Sequence, residues 1–279
     1  MKRKIIALFA VMTLVVGAFA LTGCGGGSSD SEGSEAASSR AAAESDAAYV
    51  KDNGKLVVGI TDFAPMDYKD DKGEWTGLDA ELATLFAKEL GVEVEFQEID
   101  WDNKILELDG KSIDCVWNGM TLTDEVKEAM SCTDPYLNNA QIVVVPKADA
   151  EKYKDEESIK DLTFAVEAGS AGAEVAKEKE LKTNEVKDQA TALMEVKADT
   201  SDGAIIDSLM AAAMVGEGTD YEDLAYTVGL NEEEYGVGFR KGSDLTAMLD
   251  DFFDKCAEDG TLKKLAEKYK VEAALIEDK

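Results

Sequence analysis

From residue 55 onward the chain repeats one pattern: a short apolar run, a stretch with apolar residues at helical spacing, then another short run. Lys55 to Ile60 reads as a strand, and Leu78, Leu82, Leu85, Phe86 and Leu90 then share one helical face that Gly91 stops. Val92, Val94 and Phe96 alternate with Glu93, Glu95 and Gln97, as a half-exposed strand does. Ile113 to Trp117 and Gln141 to Pro146 follow, and the pattern restarts with Phe164 to Val166, Val186, Ala204 to Ile206, and Ala225 to Val228. Leu245, Met248, Leu249, Phe252 and Phe253 mark a late amphipathic helix, and after Gly260 the residues Leu262, Leu265 and Tyr269 mark another. Such alternation predicts an α/β fold with largely parallel sheets. Folding is expected to begin near Tyr49, and the length that remains predicts two domains or lobes.

Ahead of this region, Lys2, Arg3 and Lys4 precede an apolar run from Ile5 to Ala20, then Leu21, Thr22, Gly23 and Cys24. A basic flank, an apolar core and small residues make an export signal. Leu-Thr-Gly-Cys resembles the lipobox of bacterial lipoproteins, which implies a signal peptide over residues 1–23 and a diacylglycerol on Cys24. Two acyl chains hold a protein on a bilayer stably. Residues 25–48 are Gly, Ser, Ala and acid without apolar periodicity, so 24–48 is read as a flexible tether.

The whole chain carries 29 basic and 59 acidic residues, and removing the signal takes away three basic ones and no acid. A polyanion of this kind repels nucleic acid. Histidine is absent, which excludes His-based triads, His zinc sites and imidazole switching. Beyond Cys24 only Cys115, Cys132 and Cys256 remain, scattered and odd in number, with no metal-ligand spacing. No metal or other cofactor is expected.

Several short motifs occur in one order: Phe63-Ala-Pro-Met66, Gly73-Glu-Trp-Thr-Gly-Leu-Asp79, Ile99-Asp-Trp-Asp102, Asn118-Gly-Met-Thr-Leu-Thr123, Thr133-Asp-Pro-Tyr136, Glu167-Ala-Gly-Ser170, Asp207 and Glu234-Tyr-Gly236. Together they resemble the extracellular solute-binding proteins that serve polar amino acid ABC transporters. The resemblance spans about residues 50 to 270. It implies a two-lobed periplasmic-binding-protein-like fold of type II, with the ligand closed between α/β lobes joined by two crossing strands. The first crossing is expected near Ala140 to Val145 and the return near Tyr235 to Arg240. Lobe one is then 50–140 plus 237–279, and lobe two 141–236. The implied partners are a small amine-bearing ligand, an ABC permease and the membrane through lipid, with the protein a monomer and no enzyme.

Ligands of open α/β sheets sit beyond the carboxyl ends of strands, and the family motifs select the same positions. The resemblance places the ring of Trp101 over the ligand; Asp62 and Phe63 follow the first strand, and Phe63 offers a second apolar face. Asn118, Gly119 and Thr121 follow a strand, where backbone N–H and hydroxyl groups suit a carboxylate. Ser170 opens a helical stretch whose N-terminus suits an anion. Asp207 ends an apolar run, where the resemblance implies that it holds the ligand's α-ammonium. Trp117, inside a strand, reads as core. The family's carboxylate-clamping arginine is replaced by Val126, and the second hydroxyl of the helix-opening loop by Ala171. With no cation assigned to the pocket, a cationic amine is the alternative ligand. A dehydratase or lytic enzyme on the same fold, or an adhesin or sensory partner, are the alternative classes.

Overall fold

The computed structural model describes residues 45–276. The export segment, Cys24 and most of the expected tether lie outside them. Order begins earlier than Tyr49, because α1 (Asp46–Asn53) takes the end of the expected tether into the fold. Ser45 caps it by accepting from Ala48 N at 3.0 Å, Ala47 N donates to Asp244, and the side chain of Asp46 is buried against Arg240. These contacts, invisible in a Ser/Ala/Asp composition, convert a polar segment into a helix.

The first half then runs β1 (Lys55–Ile60), a hairpin of β2 (Tyr68–Lys69) and β3 (Trp75–Thr76), α2 (Leu78–Leu90), β4 (Glu93–Glu98), a 3-10 turn at Trp101–Asn103, α3 (Lys104–Asp109), β5 (Cys115–Thr121), α4 (Asp124–Ala129), β6 (Ser131–Cys132) and β7 (Leu137–Asn139). The second half runs β8 (Gln141–Pro146), β9 (Thr163–Glu167), α5 (Ala171–Glu178), β10 (Lys182–Val186), α6 (Gln189–Lys197), β11 (Gly203–Asp207), α7 (Ser208–Met214) and β12 (Leu224–Gly229). The chain returns through β13 (Glu233–Phe239) and ends with α8 (Leu245–Glu258) and α9 (Thr261–Tyr269).

Two sheets result. One has the order β4-β1-β5-β13-β6, with β7 also paired to β13; the other has the order β10-β9-β11-β8-β12. The parallel arrangement predicted by alternation holds for β4, β1 and β5, and for β10, β9 and β11. The strands next to the crossings are antiparallel: β8 to β11, β12 to β8, and β13 to β5. The chain passes to the second sheet at Ala140 and comes back over residues 230–232, ahead of the expected 235–240. Glu233 to Tyr235, expected in the second lobe, pair with β7 in the first sheet.

The core beside the first sheet is aromatic. Trp117 is fully buried, 5.6 Å from Phe253 and 6.4 Å from Phe86 between ring centroids, and Tyr136 stacks on Phe253 at 5.1 Å. Phe252 and Phe253 come from the buried face of α8, which explains why the C-terminal helices belong to this half. Truncating such a ring costs about 3–5 kcal/mol. Among the described residues no helix is long and apolar enough to cross a membrane. Cys115, Cys132 and Cys256 are free thiols.

Candidate functional site

A cleft of about 580 Å³ lies between the sheets. Phe63, Trp101, Asn118, Gly119 and Thr121 line it from one side, and Ser170 and Asp207 from the other. Asp62 is not brought in. It is exposed, whereas its neighbour Thr61 is buried and bonded to Asn118, so the end of β1 turns Thr61 inward and Asp62 outward.

Several of the lining groups are committed to the framework. The amide of Asn118 accepts from Thr61 N and Oγ1 at 2.9 and 2.8 Å, and donates to Thr61 O and Asp67 Oδ2 at 3.1 and 2.8 Å. Gly119 N, expected to meet a carboxylate, donates instead to Asp79 Oδ2 at 2.7 Å. Gly119 has φ +55, and a Cβ there would lie 2.4 Å from Phe63 Cε1, so only glycine lets that ring reach the cleft floor. Thr121 Oγ1 donates to Glu233 Oε1 at 2.8 Å. Ser170 caps α5 by accepting from Ala173 N at 3.1 Å, which leaves its hydroxyl proton to donate.

Trp101 packs with Val57, Leu108, Ile113, Val116, Met120 and Val126, and one edge lines the cleft. Above its ring, at 5.1 Å from the centroid, stands the ammonium of Lys104. That group reaches across the cleft and donates to Gly169 O at 2.8 Å and to Trp101 O at 3.3 Å. Gly169 has φ +68, and a Cβ there would sit 2.7 Å from Asp102 Cα, so the two sides touch at this point. Burial lowers the pKa of Lys104, while Glu125 and Glu167 act the other way. Lys104 and Lys177 both line the cleft, which corrects the expectation of a pocket without cations. Val126, in the place of the arginine, is buried.

Asp207 sits at the end of β11, 4% exposed, in a cage of donors. Its Oδ1 accepts from Asn139 Nδ2, from Gln141 Nε2 at 3.0 Å and from the Tyr235 hydroxyl at 2.9 Å; Oδ2 accepts from Gln189 Nε2. Asn139 and Gln141 also donate to Glu233 Oε1, at 2.7 and 2.8 Å. Burial, and then the nearby Glu233, push the Asp207 carboxyl up to about 8. Because Asn139 and Gln141 flank the first crossing and Glu233 follows the return, one network joins the hinge to the site.

Glu167, passed over as one acid among many, ends β9 as Asp207 ends β11. It is 3% exposed and lines the cleft, yet among the described residues its Oε1 has no hydrogen-bond partner. Burial, then Asp207 and Asp188, push its carboxyl up to about 8, against Lys104 and the Thr61 hydroxyl. Among the described residues no group of three or more His, Cys, Asp or Glu is placed to hold a metal ion.

Two mixed-sheet halves around an acid-lined cleft, with a buried strand-end aspartate tied to the hinge, define a two-lobed solute-binding fold. The chain belongs to the bacterial extracellular solute-binding proteins, family 3, whose pattern matches residues 56–272. It is 30% identical over 259 residues to the arginine-binding extracellular protein ArtP of Bacillus subtilis (strain 168), spanning 90% of this chain and 92% of the relative. A mutant of ArgBP from T. maritima superposes with a TM-score of 0.75 at 32% identity, over 80% of this chain and 98% of that one. An ancestral amino acid-binding protein, AncCDT-1, described as a precursor of cyclohexadienyl dehydratase, superposes with a TM-score of 0.74 at 33% identity, over 81% and 99%.

Proposed function

We propose that this protein captures a free amino acid between its lobes and delivers it to the permease of an ABC importer, while lipid on Cys24 holds it to the outer face of the cell membrane. The observation that carries the ligand reading is Asp207. Among the described residues its Oδ2 accepts one bond, which leaves a lone pair facing the cleft for an α-ammonium. The carboxylate falls to the Ser170 hydroxyl, the N-terminus of α5 and the ammonium of Lys104, which stands beside Gly169 and supplies the charge that Val126 lacks. Burial of both charges in a cleft that excludes water strengthens these contacts. Closure is driven by contacts made only when the lobes meet, as Lys104 and Gly169 do. The anchor rests on the Leu-Thr-Gly-Cys sequence, and Cys24→Ser is expected to shift the protein from the detergent phase to the aqueous one.

Calorimetry with a matched set tests the ligand reading: a stabilising amino acid found by thermal shift, its decarboxylated amine and its carboxyl amide. The free amino acid is expected to bind at least tenfold tighter than either derivative, and Asp207→Asn to weaken it by about a hundredfold, roughly 3 kcal/mol. An amine that binds as tightly as its parent amino acid removes the carboxylate from the reading. Turnover of a ligand that saturates the cleft would instead make the protein an enzyme.

A further inference from the structure

We infer that Glu167 is a specificity-determining acid that takes a second cationic group, on the ligand's side chain, and so selects a basic amino acid. This rests on the amino-acid reading of Asp207. The argument begins with an accounting of polar groups. A carboxylate has about four acceptor sites, and buried ones are filled by donors or water in nearly all native proteins. Asp207 has donors on both oxygens, three on Oδ1 and one on Oδ2, whereas among the described residues Glu167 Oε1 has none.

The nearest cation leaves this oxygen unfilled. Lys104 is close enough to act on Glu167 electrostatically, but its ammonium bonds to the carbonyls of Gly169 and Trp101. The orphan oxygen is itself buried, but it belongs to a residue that lines the cleft, and a ligand seated there supplies its donor. Asp207 and Glu167 end β11 and β9, which are adjacent and parallel, so the two acids stand at the carboxyl ends of neighbouring strands, close enough to act on one another electrostatically. A ligand with an α-ammonium on the first and a guanidinium or ammonium on the second neutralises both at once. The aromatic surface of Trp101 and Phe63 is available for the aliphatic stem between them.

The groups facing Glu167 are Asp207 at the end of β11, Asp188 after β10, and Lys104 and Thr61 from across the cleft. Without a ligand, burial and then the neighbouring acids favour its protonated form. A side-chain cation replaces that proton, which passes to solvent, and the carboxylate then carries the charge that the cation needs. A neutral side chain leaves the proton in place.

The test is titration calorimetry with L-arginine and L-lysine against their neutral counterparts L-citrulline and L-norleucine, in buffers of different ionisation enthalpy between pH 6 and 8. One basic amino acid is expected to bind at least tenfold tighter than its counterpart and to release more protons. Glu167→Gln should shrink that preference below threefold and abolish the difference in proton release. A counterpart that binds as tightly as its basic partner overturns the inference and leaves the amino-acid reading intact, as does a Glu167→Gln protein that keeps the preference. Failure of all four to bind overturns both. Should Glu167→Gln not fold, the affinity ratio and the difference in proton release in the unaltered protein decide the matter.

Discussion

Among the described residues, the buried acid pairs near Arg240 and at the cleft are treated in opposite ways. In the first half, Asp46 and Asp114 share Arg240, whose Nε lies 3.0 Å from Asp46 Oδ1 and whose Nη2 lies 3.1 Å from Asp114 Oδ1. Nη1 donates to Ile113 O at 2.8 Å, and Val57 N donates to Asp114 Oδ2 at 3.0 Å, so this cluster is built around its own cation. At the cleft, Asp207 and Glu167 are equally buried, but among the described residues no guanidinium or ammonium bonds to either. Asp67 and Asp79 show another arrangement: both are fully buried, burial raises their carboxyls above the usual range, Asp79 to about 6, and donors hold them, Asn118 on Asp67 and Gly119 N with the Tyr136 hydroxyl on Asp79. Burial or an orphan oxygen alone does not define a site, since Asp67 Oδ1 also lacks a partner. Asp67 does not line the cleft; Glu167 does.

The largest test of this contrast is Arg240→Met. It leaves two buried acids without their cation and is expected to lower stability by about 3–5 kcal/mol in urea unfolding. The same deficit at the cleft is already present in the unliganded protein, so Glu167→Gln should not destabilise; a loss as large as that of Arg240→Met would erase the distinction.

A second test is the pH dependence of the ligand-free protein. Glu167 and Asp207 at about 8, and Asp79 at about 6, hold protons that the unfolded chain has released, so their contribution is fully present below about pH 4 and lost as pH rises to about 8. Stability should therefore fall by several kcal/mol between pH 5 and 8, with a smaller slope in Glu167→Gln. A flat profile in both proteins would mean that these acids are not protonated. The smallest effect is at the edge of the resident-cation cluster: Ser45→Ala removes the cap that brings Asp46 to Arg240, and should cost about 1 kcal/mol without changing ligand affinity.

Legibility followed the range of the interactions. β1 and β8 were readable to the residue because each is a compact apolar run. β10, Lys-Thr-Asn-Glu-Val, is an edge strand with one apolar residue, and only Val186 marked it. The return crossing was expected near Tyr235 to Arg240 from the resemblance, although β13 lies within the first sheet. The strand-end rule located Asp207 and Thr121. It could not show that the amide of Asn118 is turned toward Thr61, 57 positions away, or that Asp79 takes Gly119 N. Glu167 was within reach of the same rule: Thr-Phe-Ala-Val-Glu and Gly-Ala-Ile-Ile-Asp are alike, an apolar run closed by an acid. The abundance of acids hid it. Lys104 had no local signal, since what makes it part of the site is the carbonyl of Gly169 across the cleft.

The donors on Asp207 come from both sides of the hinge. Gln141 and Gln189 belong to the second sheet and its helix, whereas Tyr235 and Asn139 belong to strands of the first. Rotation of one lobe against the other must therefore strain the bonds from Tyr235 and Asn139, and with them the orientation of the carboxylate proposed to hold the ammonium. Grip and angle are two readings of one coordinate. A permease that levers the lobes apart needs no contact with the ligand to eject it, because the leverage itself loosens the hold.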